Sequence, residues 1–335
     1  MRVVIVGATG NIGTGLVRRL VMEPEVERIR GIARRTPAEA PARTEWLRRD
    51  VTRDDLASAF RGADAVVNLA WRLRPSHDLD LLWRTNVEGS TRVARAAAEA
   101  GVRTLVHASS VGVYSPGPKD RAVDEDWPRE GVATSFYSRH KAEVERRLDR
   151  LEQEHPGMRI VRIRPAFVFT GEAGARVRRL FLGPLFPFPL ARPGALKVVP
   201  DVPGLRVQCV HRDDVAEAIR LILLGGFRGA VNLAARPVID PPEMARILGA
   251  RLVPAPRALV RGAMAATWRM RLQPSQPGWL DLGLAVPIMS TERAQAELGW
   301  QPWRGADDAL LEILEGMGQD AQGPTPALSP RQAGT

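Results

Sequence analysis

Two hydrophobic periods alternate along the first 165 residues. Short, nearly continuous apolar runs read as buried strands: Arg2–Val6, Arg28–Ala33, Ala65–Ala70, Val102–Ala108 and Arg159–Arg164. Between them lie longer segments whose apolar positions recur every three or four residues, as on one helix face. These predict helices over Asn11–Met22, Asp54–Phe60, Asn86–Ala100 and Tyr137–Glu154. Asp54 and Asp55 suit a helix first turn, and Gly101 stands where a helix C-terminus takes glycine. Strand and helix alternating at this spacing predict an α/β fold, a doubly wound parallel sheet of Rossmann type. Right-handed crossovers bring the strand C-terminal ends to one edge, where ligands bind.

After Pro165 the pattern changes. Phe181–Leu190 is apolar but broken by prolines, so a regular helix is excluded there. Val207–Val210 reads as a strand, Asp213–Leu224 as a helix and Gly229–Leu233 as a last strand. The expected organisation is a doubly wound Rossmann domain over residues 1–165, to which 212–236 returns. A smaller substrate-binding lobe is expected from 166–211 and 237–316. Residues 317–335 carry no core pattern and are expected to lack fixed structure.

Composition narrows the class. With 44% hydrophobic and 26% charged residues the chain is globular. A single cysteine, Cys209, excludes an intrachain disulfide and a thiolate metal cluster, and no metal site is expected. No apolar run is long enough to span a bilayer, and the N-terminus reads as a strand rather than a signal peptide. A cytoplasmic setting is the expectation. The net charge of +10 rests on 48 basic residues, of which only Lys119, Lys141 and Lys197 are lysines. The arginines are spread among acidic residues, so nucleic acid is not an expected partner.

Gly7-Ala8-Thr9-Gly10-Asn11-Ile12-Gly13 sits between the first strand and the first helix. Glycines there let the backbone approach a pyrophosphate, and the helix N-terminus offers it free N–H groups. The acidic residue that would bind an NAD ribose is missing. The second strand ends at Ala33 and is followed by Arg34 and Arg35, which suit a 2′-phosphate; NADP is therefore favoured over NAD. Asp50-Val51 would reach the adenine edge, and Leu69-Ala70-Trp71 the pyrophosphate and nicotinamide ribose.

Tyr137 and Lys141 stand four apart, on one helix face. Ser109-Ser110 ends the strand before them. An ammonium and a nicotinamide cation beside a phenol would lower its pKa, and a serine hydroxyl could bind the reacting oxygen. His140 is expected on a solvated helix face, and His107 and Cys209 in structural roles.

These motifs, with Thr85-Asn86-Val-Glu-Gly89, Ser109-Ser110-Val-Gly-Val-Tyr114, Arg164-Pro165-Ala166-Phe-Val168, His211-Arg-Asp-Asp214-Val-Ala216 and Glu297-Leu-Gly-Trp300-Gln-Pro302, resemble the extended short-chain dehydrogenases/reductases of the epimerase/dehydratase type. The resemblance runs to about Leu314. It implies Tyr137 as catalytic acid/base, Lys141 as ribose ligand, Ser110 as third member of the triad, and Pro165 to Val168 as the lining of the nicotinamide amide. Val207-Gln208-Cys209-Val210-His211 departs from the pattern of nucleotide-sugar enzymes. Three readings follow. One is hydride transfer at a secondary alcohol or ketone, a second a nucleotide-sugar epimerase or dehydratase with tightly held NAD, and a third a non-catalytic NADP sensor. The partner expected is a small molecule, with a homodimer as a compatible assembly. The apolar stretches Leu180–Leu190 and Ala258–Met270 fit either an apolar, steroid- or polyketide-like substrate or plain lid and core packing.

Overall fold

The computed structural model describes residues 1–73, 78–183 and 187–329. Its centre is a seven-stranded parallel sheet. The strands are β1 (Arg2–Val6), β2 (Arg28–Ala33), β3 (Thr44–Arg48), β4 (Ala65–Asn68), β5 (Thr104–Ala108), β6 (Arg159–Pro165) and β7 (Gly229–Leu233). Their order is β7-β6-β5-β4-β1-β2-β3, so the topology reverses between β1 and β4. That reversal opens a crevice at the strand C-termini.

Strand period two divides the core. Val3, Ile5, Val67, Val106, Val161 and Val231 face α1 (Asn11–Val21) and the helix Arg212–Leu224. Val4, Val6, Val66, Leu105 and Ile160 face the helices Gly89–Glu99 and Phe136–Glu154. Both faces are covered, which is why these strands read as continuous apolar runs.

The sequence did not announce β3. Its residues are half-buried at the sheet edge, and Trp46 lies across Gly31 of β2, where any Cβ would collide with the indole. The segment expected as helix from Asp54 is helical only over Ala57–Phe60. The expected helix from Asn86 begins earlier and in two pieces: Leu79–Trp83 is α-helical and Arg84–Glu88 is a π turn before Gly89–Glu99. The strand expected at Val207–Val210 is shifted to Cys209–His211, paired with Phe167–Phe169.

Among the described residues, the apolar run after Phe181 carries no regular helix. A helix over Gly174–Phe181 ends there and a 3-10 turn follows at Phe188–Ala191, while residues 184–186 lie outside the described residues. Ala258–Met270 is not core packing: the helix Arg257–Arg269 buries no residue. The tail differs from expectation too. Helix continues to Gly318, and residues 319–329 fold back on the glycine loop with Thr325 and Leu328 buried. The Thr325 hydroxyl, the apolar packing of Leu328 and the ion pair of Asp320 with Arg178 hold the segment in place, contacts that composition alone does not reveal. The last part of the expected tail, 330–335, lies outside the described residues.

Candidate active site

The glycine loop leaves β1 at Gly7, whose φ of +84° disfavours any side chain. A Cβ at Gly13 would lie 2.5 Å from the Gly7 carbonyl oxygen, so the first turn of α1 closes tightly on the loop. Gly10 caps α1 without a side-chain hydrogen bond, and no acidic residue stands in the first turn. The free N–H groups there and the helix dipole suit an anion. A Cβ on Gly10 would meet only the Gly7 oxygen, at 3.2 Å, so its outer side is open to a ligand. Asn11 donates from Nδ2 to the Val168 carbonyl at 3.2 Å, while its buried Oδ1 and the Trp71 indole N–H find no partner. A cradle of glycines, an uncapped helix and orphaned polar atoms beside them fit a dinucleotide.

Arg34 and Arg35 are exposed beyond β2. Burial pushes the Asp50 carboxyl up, but Thr52 hydrogen bonds and the Arg34 charge outweigh it and hold the pKa below its ordinary value. Asp50 Oδ1 accepts from the Thr52 N–H and hydroxyl at 2.9 and 2.8 Å. Val51 is buried against the helix Gly89–Glu99. Asn86 is fully buried. Its amide accepts from the Arg72 N–H at 2.7 Å and donates to the Arg72 carbonyl at 3.1 Å, fixing the chain just after Leu69, Ala70 and Trp71. Pro165 ends β6, Ala166 donates to the Leu233 carbonyl, and Val168 lies opposite Val210.

Ser109, Ser110, Tyr137 and Lys141 converge beyond the end of β5. The helix Phe136–Glu154 starts at Ser135, whose hydroxyl accepts from the Ser138 N–H. That start places Tyr137 and Lys141 one turn apart on the inner face. Lys141 Nζ donates to the Ala108 carbonyl at 2.7 Å and lies 3.5 Å from the Trp71 ring centroid. Burial takes the Lys141 pKa down to about 7. The Ser110 hydroxyl accepts from the Gly112 N–H at 3.1 Å, which leaves its proton to donate towards Tyr137.

The Tyr137 pKa is that of the chain alone, with no nicotinamide cation beside the phenol. It is pushed up to about 12, because burial outweighs the Ser110 hydrogen bond. The ring is walled by Trp71, edge-on with centroids 5.9 Å apart, and by Trp279, tilted at 5.2 Å. Phe181 and Phe136 in turn meet Trp279 edge-on. His140 is buried between Trp83 and Phe136 rather than solvated, with its pKa lowered to about 4 by burial. Cys209 is buried, and its thiol is pushed up to about 12.

A buried polar chain underlies this cluster. Ser109 Oγ donates to Glu145 at 2.5 Å; Arg164 grips the same carboxylate with Nε at 3.0 Å and Nη2 at 2.6 Å. Arg164 also reaches the Tyr114 hydroxyl, which donates to Asn232 at 2.7 Å. Sequence reasoning missed Glu145. Its signal was present: it stands four after Lys141 on the same helix face.

Residues 3–234 match the family described as "NAD dependent epimerase/dehydratase family". The chain belongs to that family of enzymes. A protein of Mycobacterium tuberculosis is 27% identical over 93% of this chain and 30% of its own length. The chain thus spans under a third of that relative. A sterol-4-alpha-carboxylate 3-dehydrogenase (decarboxylating) of Candida albicans is 27% identical over 50% of each chain. The structure of a dTDP-glucose 4,6-dehydratase from Streptomyces venezuelae, with NAD bound, superposes with a TM-score of 0.70 at 21% identity, over 95% of this chain and 97% of that one. No helix among the described residues is long and apolar enough to cross a membrane.

Proposed function

We propose that this chain is a nicotinamide-dependent oxidoreductase acting on a secondary alcohol or ketone borne on an apolar, ring-containing molecule. The observation that carries the reading is the aromatic enclosure of Tyr137 by Trp71 and Trp279, directly beside Lys141 and Ser110. Indole walls favour apolar ring surface over a hydrated sugar diphosphate. The Candida relative named above acts on a sterol carboxylate, which supports the same substrate class.

The dinucleotide supplies or accepts the hydride when bound; the chain's own groups do the rest. Gly7, Thr9, Gly10, Asn11, Ile12 and Gly13 hold its pyrophosphate, with Leu69, Ala70 and Trp71 alongside. Asp50 and Val51 border the adenine, and Arg34 and Arg35 favour NADP. Asn86, Ser109, Pro165, Ala166 and Val168 shape the nicotinamide end. Tyr137 gives or takes the proton at the substrate oxygen, Ser110 donates a hydrogen bond to that oxygen, and Lys141 Nζ binds the ribose. The aromatic walls keep water out, so these few polar contacts act at low dielectric.

A nucleotide-sugar epimerase or dehydratase is the second reading, favoured by the Streptomyces enzyme that shares the fold. The chain is taken to work in the cytoplasm, with a homodimer as the assembly to test by sedimentation. The deciding experiment measures thermal stabilisation by NAD and NADP. It then follows nicotinamide absorbance with steroid-like and polycyclic alcohols and ketones, and product formation by chromatography with UDP- and dTDP-sugars, whose epimerisation or dehydration leaves no net change in the nicotinamide. Turnover of the apolar panel supports the proposal. Turnover of the nucleotide-sugars alone overturns it.

A further inference from the structure

Between Glu243 and Asp281 the sequence holds six arginines, Arg246, Arg251, Arg257, Arg261, Arg269 and Arg271, and no acidic residue. Arg246 and Arg261 pair with Glu243 and Asp281 at the two borders. The other four are exposed. The same segment carries the least buried helix of the lobe, Arg257–Arg269, in which no residue is buried. Leu259, Ala263, Ala266 and Met270 are all exposed and stand at i, i+4, i+7 and i+11, so they form one stripe facing away from the protein. Leu259 is 70% exposed, Met270 66% and Leu272, just beyond, 69%. Leu252 and Val253, on the strand before the helix, add to the exposed apolar surface. Val260, Met264, Thr267 and Trp268, on the other side, are half-buried.

We propose that this helix and its flanks dock the protein on an anionic lipid bilayer, lying in the interface without crossing it. An apolar stripe flanked by arginines is the pattern that inserts aliphatic side chains below headgroups and sets guanidinium groups among their phosphates. Charge decides between occupants. A second copy meeting this face about a twofold axis would bring two sets of unpaired arginines together, which repel. A nucleic acid would pair the arginines but leave Leu259, Met270 and Leu272 without apolar contact. An anionic bilayer satisfies both. The inference stands apart from the reading of the active site, since it uses none of those residues.

The test is co-sedimentation of the chain with vesicles of phosphatidylcholine alone and of phosphatidylcholine with about a third phosphatidylglycerol, at low and high salt. Binding to the second, weakened by salt, is expected, with little on the first. The exposed positions allow Leu259→Glu with Met270→Glu while the melting temperature and cofactor binding stay unchanged. That variant should lose at least about tenfold in vesicle affinity. Arg269→Glu with Arg271→Glu should lose about fivefold or more per charge and flatten the salt dependence. Wild-type protein that stays in the supernatant, or variants that bind as wild type, overturns the proposal. So does a dimer that dissociates on Leu259→Glu, which would name a second copy as the occupant. Tighter binding to a DNA duplex than to the anionic vesicles overturns it as well.

Discussion

The indole face of Trp71 covers the ammonium of Lys141, with Nζ 3.5 Å from the ring centroid. Burial makes the charged lysine a costly group in the folded chain, and neither this contact nor the Glu145 charge offsets it. Its ordinary value of 10.5 falls to about 7. The unfolded chain therefore keeps a proton on Lys141 between about pH 7 and 10.5 that the folded chain releases. Stability from this site rises with pH across that window and is lost as pH falls through 7. Lys141→Met should raise the stability of the cofactor-free protein near neutrality by about 1–4 kcal/mol and flatten the alkaline rise, while weakening cofactor binding. Trp71→Ala, which lets water reach Nζ, should flatten the same rise without deleting the charge. Denaturant titrations at several pH values read both effects.

Tyr137 can be followed directly because the chain has two tyrosines, Tyr114 and Tyr137. Burial pushes both up to about 12. The native cofactor-free protein should show no tyrosinate absorbance at pH 10, where unfolded protein is half ionised. Cofactor binding should bring one tyrosinate into range, and Tyr137→Phe should remove it. The same variant should fold and bind cofactor normally but turn over about 10²–10⁴ times more slowly. A wild-type rate would take Tyr137 out of the mechanism.

Glu145 and Arg164 form a bidentate pair with both side chains buried. Burial pushes the carboxyl up, and the Arg164 hydrogen bond and charge more than reverse it. Glu145→Gln leaves the guanidinium without its counter-charge and should cost about 3–5 kcal/mol. Because the Glu145 charge raises the Lys141 pKa, the variant should also extend the lower end of the alkaline stability rise to lower pH, while its upper end stays at the unfolded value. A purely structural role would not move that window.

The sheet and the glycine loop were legible because they are local: strand period, helix period and glycine spacing are each contained in a few residues. That Tyr137, Lys141 and Ser110 come together was legible for the same reason, one turn of helix and one strand end. What escaped notice depends on distant partners. The half-buried edge strand Thr44–Arg48 forms because Trp46 finds Gly31, which stands across an intervening loop in no periodic pattern. The high Tyr137 pKa comes from burial, and one wall of that enclosure, Trp279, is far off in sequence. His140 reads as a polar helix position, and only Trp83 and Phe136 make it a buried one.

Thr325 belongs to that long-range class. Its hydroxyl donates to the Thr9 carbonyl at 2.8 Å and lies 3.1 Å from the Thr14 hydroxyl, so the tail is fastened to the glycine loop. Thr325→Val keeps the shape and removes both bonds. It should cost about 1–3 kcal/mol and increase hydrogen exchange in residues 7–14. Unchanged exchange there would show that the tail does not brace the loop.

We propose that Arg34 and Arg35 set the choice of dinucleotide. β2 ends at Ala33, a residue that accepts nothing from a ribose hydroxyl, and the two exposed arginines follow it. Asp50 lies near enough for the Arg34 charge to help hold its carboxyl low, behind the larger effects of burial and the Thr52 hydrogen bonds. A 2′-phosphate would be a stronger partner for Arg34 than that half-occupied carboxylate, since a guanidinium binds phosphate in a bidentate fork. NADP should therefore bind more tightly than NAD. Arg34→Ala should weaken NADP by about 1.5–3 kcal/mol, the range for a charged hydrogen bond, and leave NAD nearly unchanged. Raising the salt concentration should narrow the difference between the cofactors, because both arginines face solvent. Calorimetric titration of both cofactors into both proteins measures all of this. NAD binding that is the tighter of the two and indifferent to Arg34→Ala would make the arginines ordinary surface charge and assign the ribose contact elsewhere.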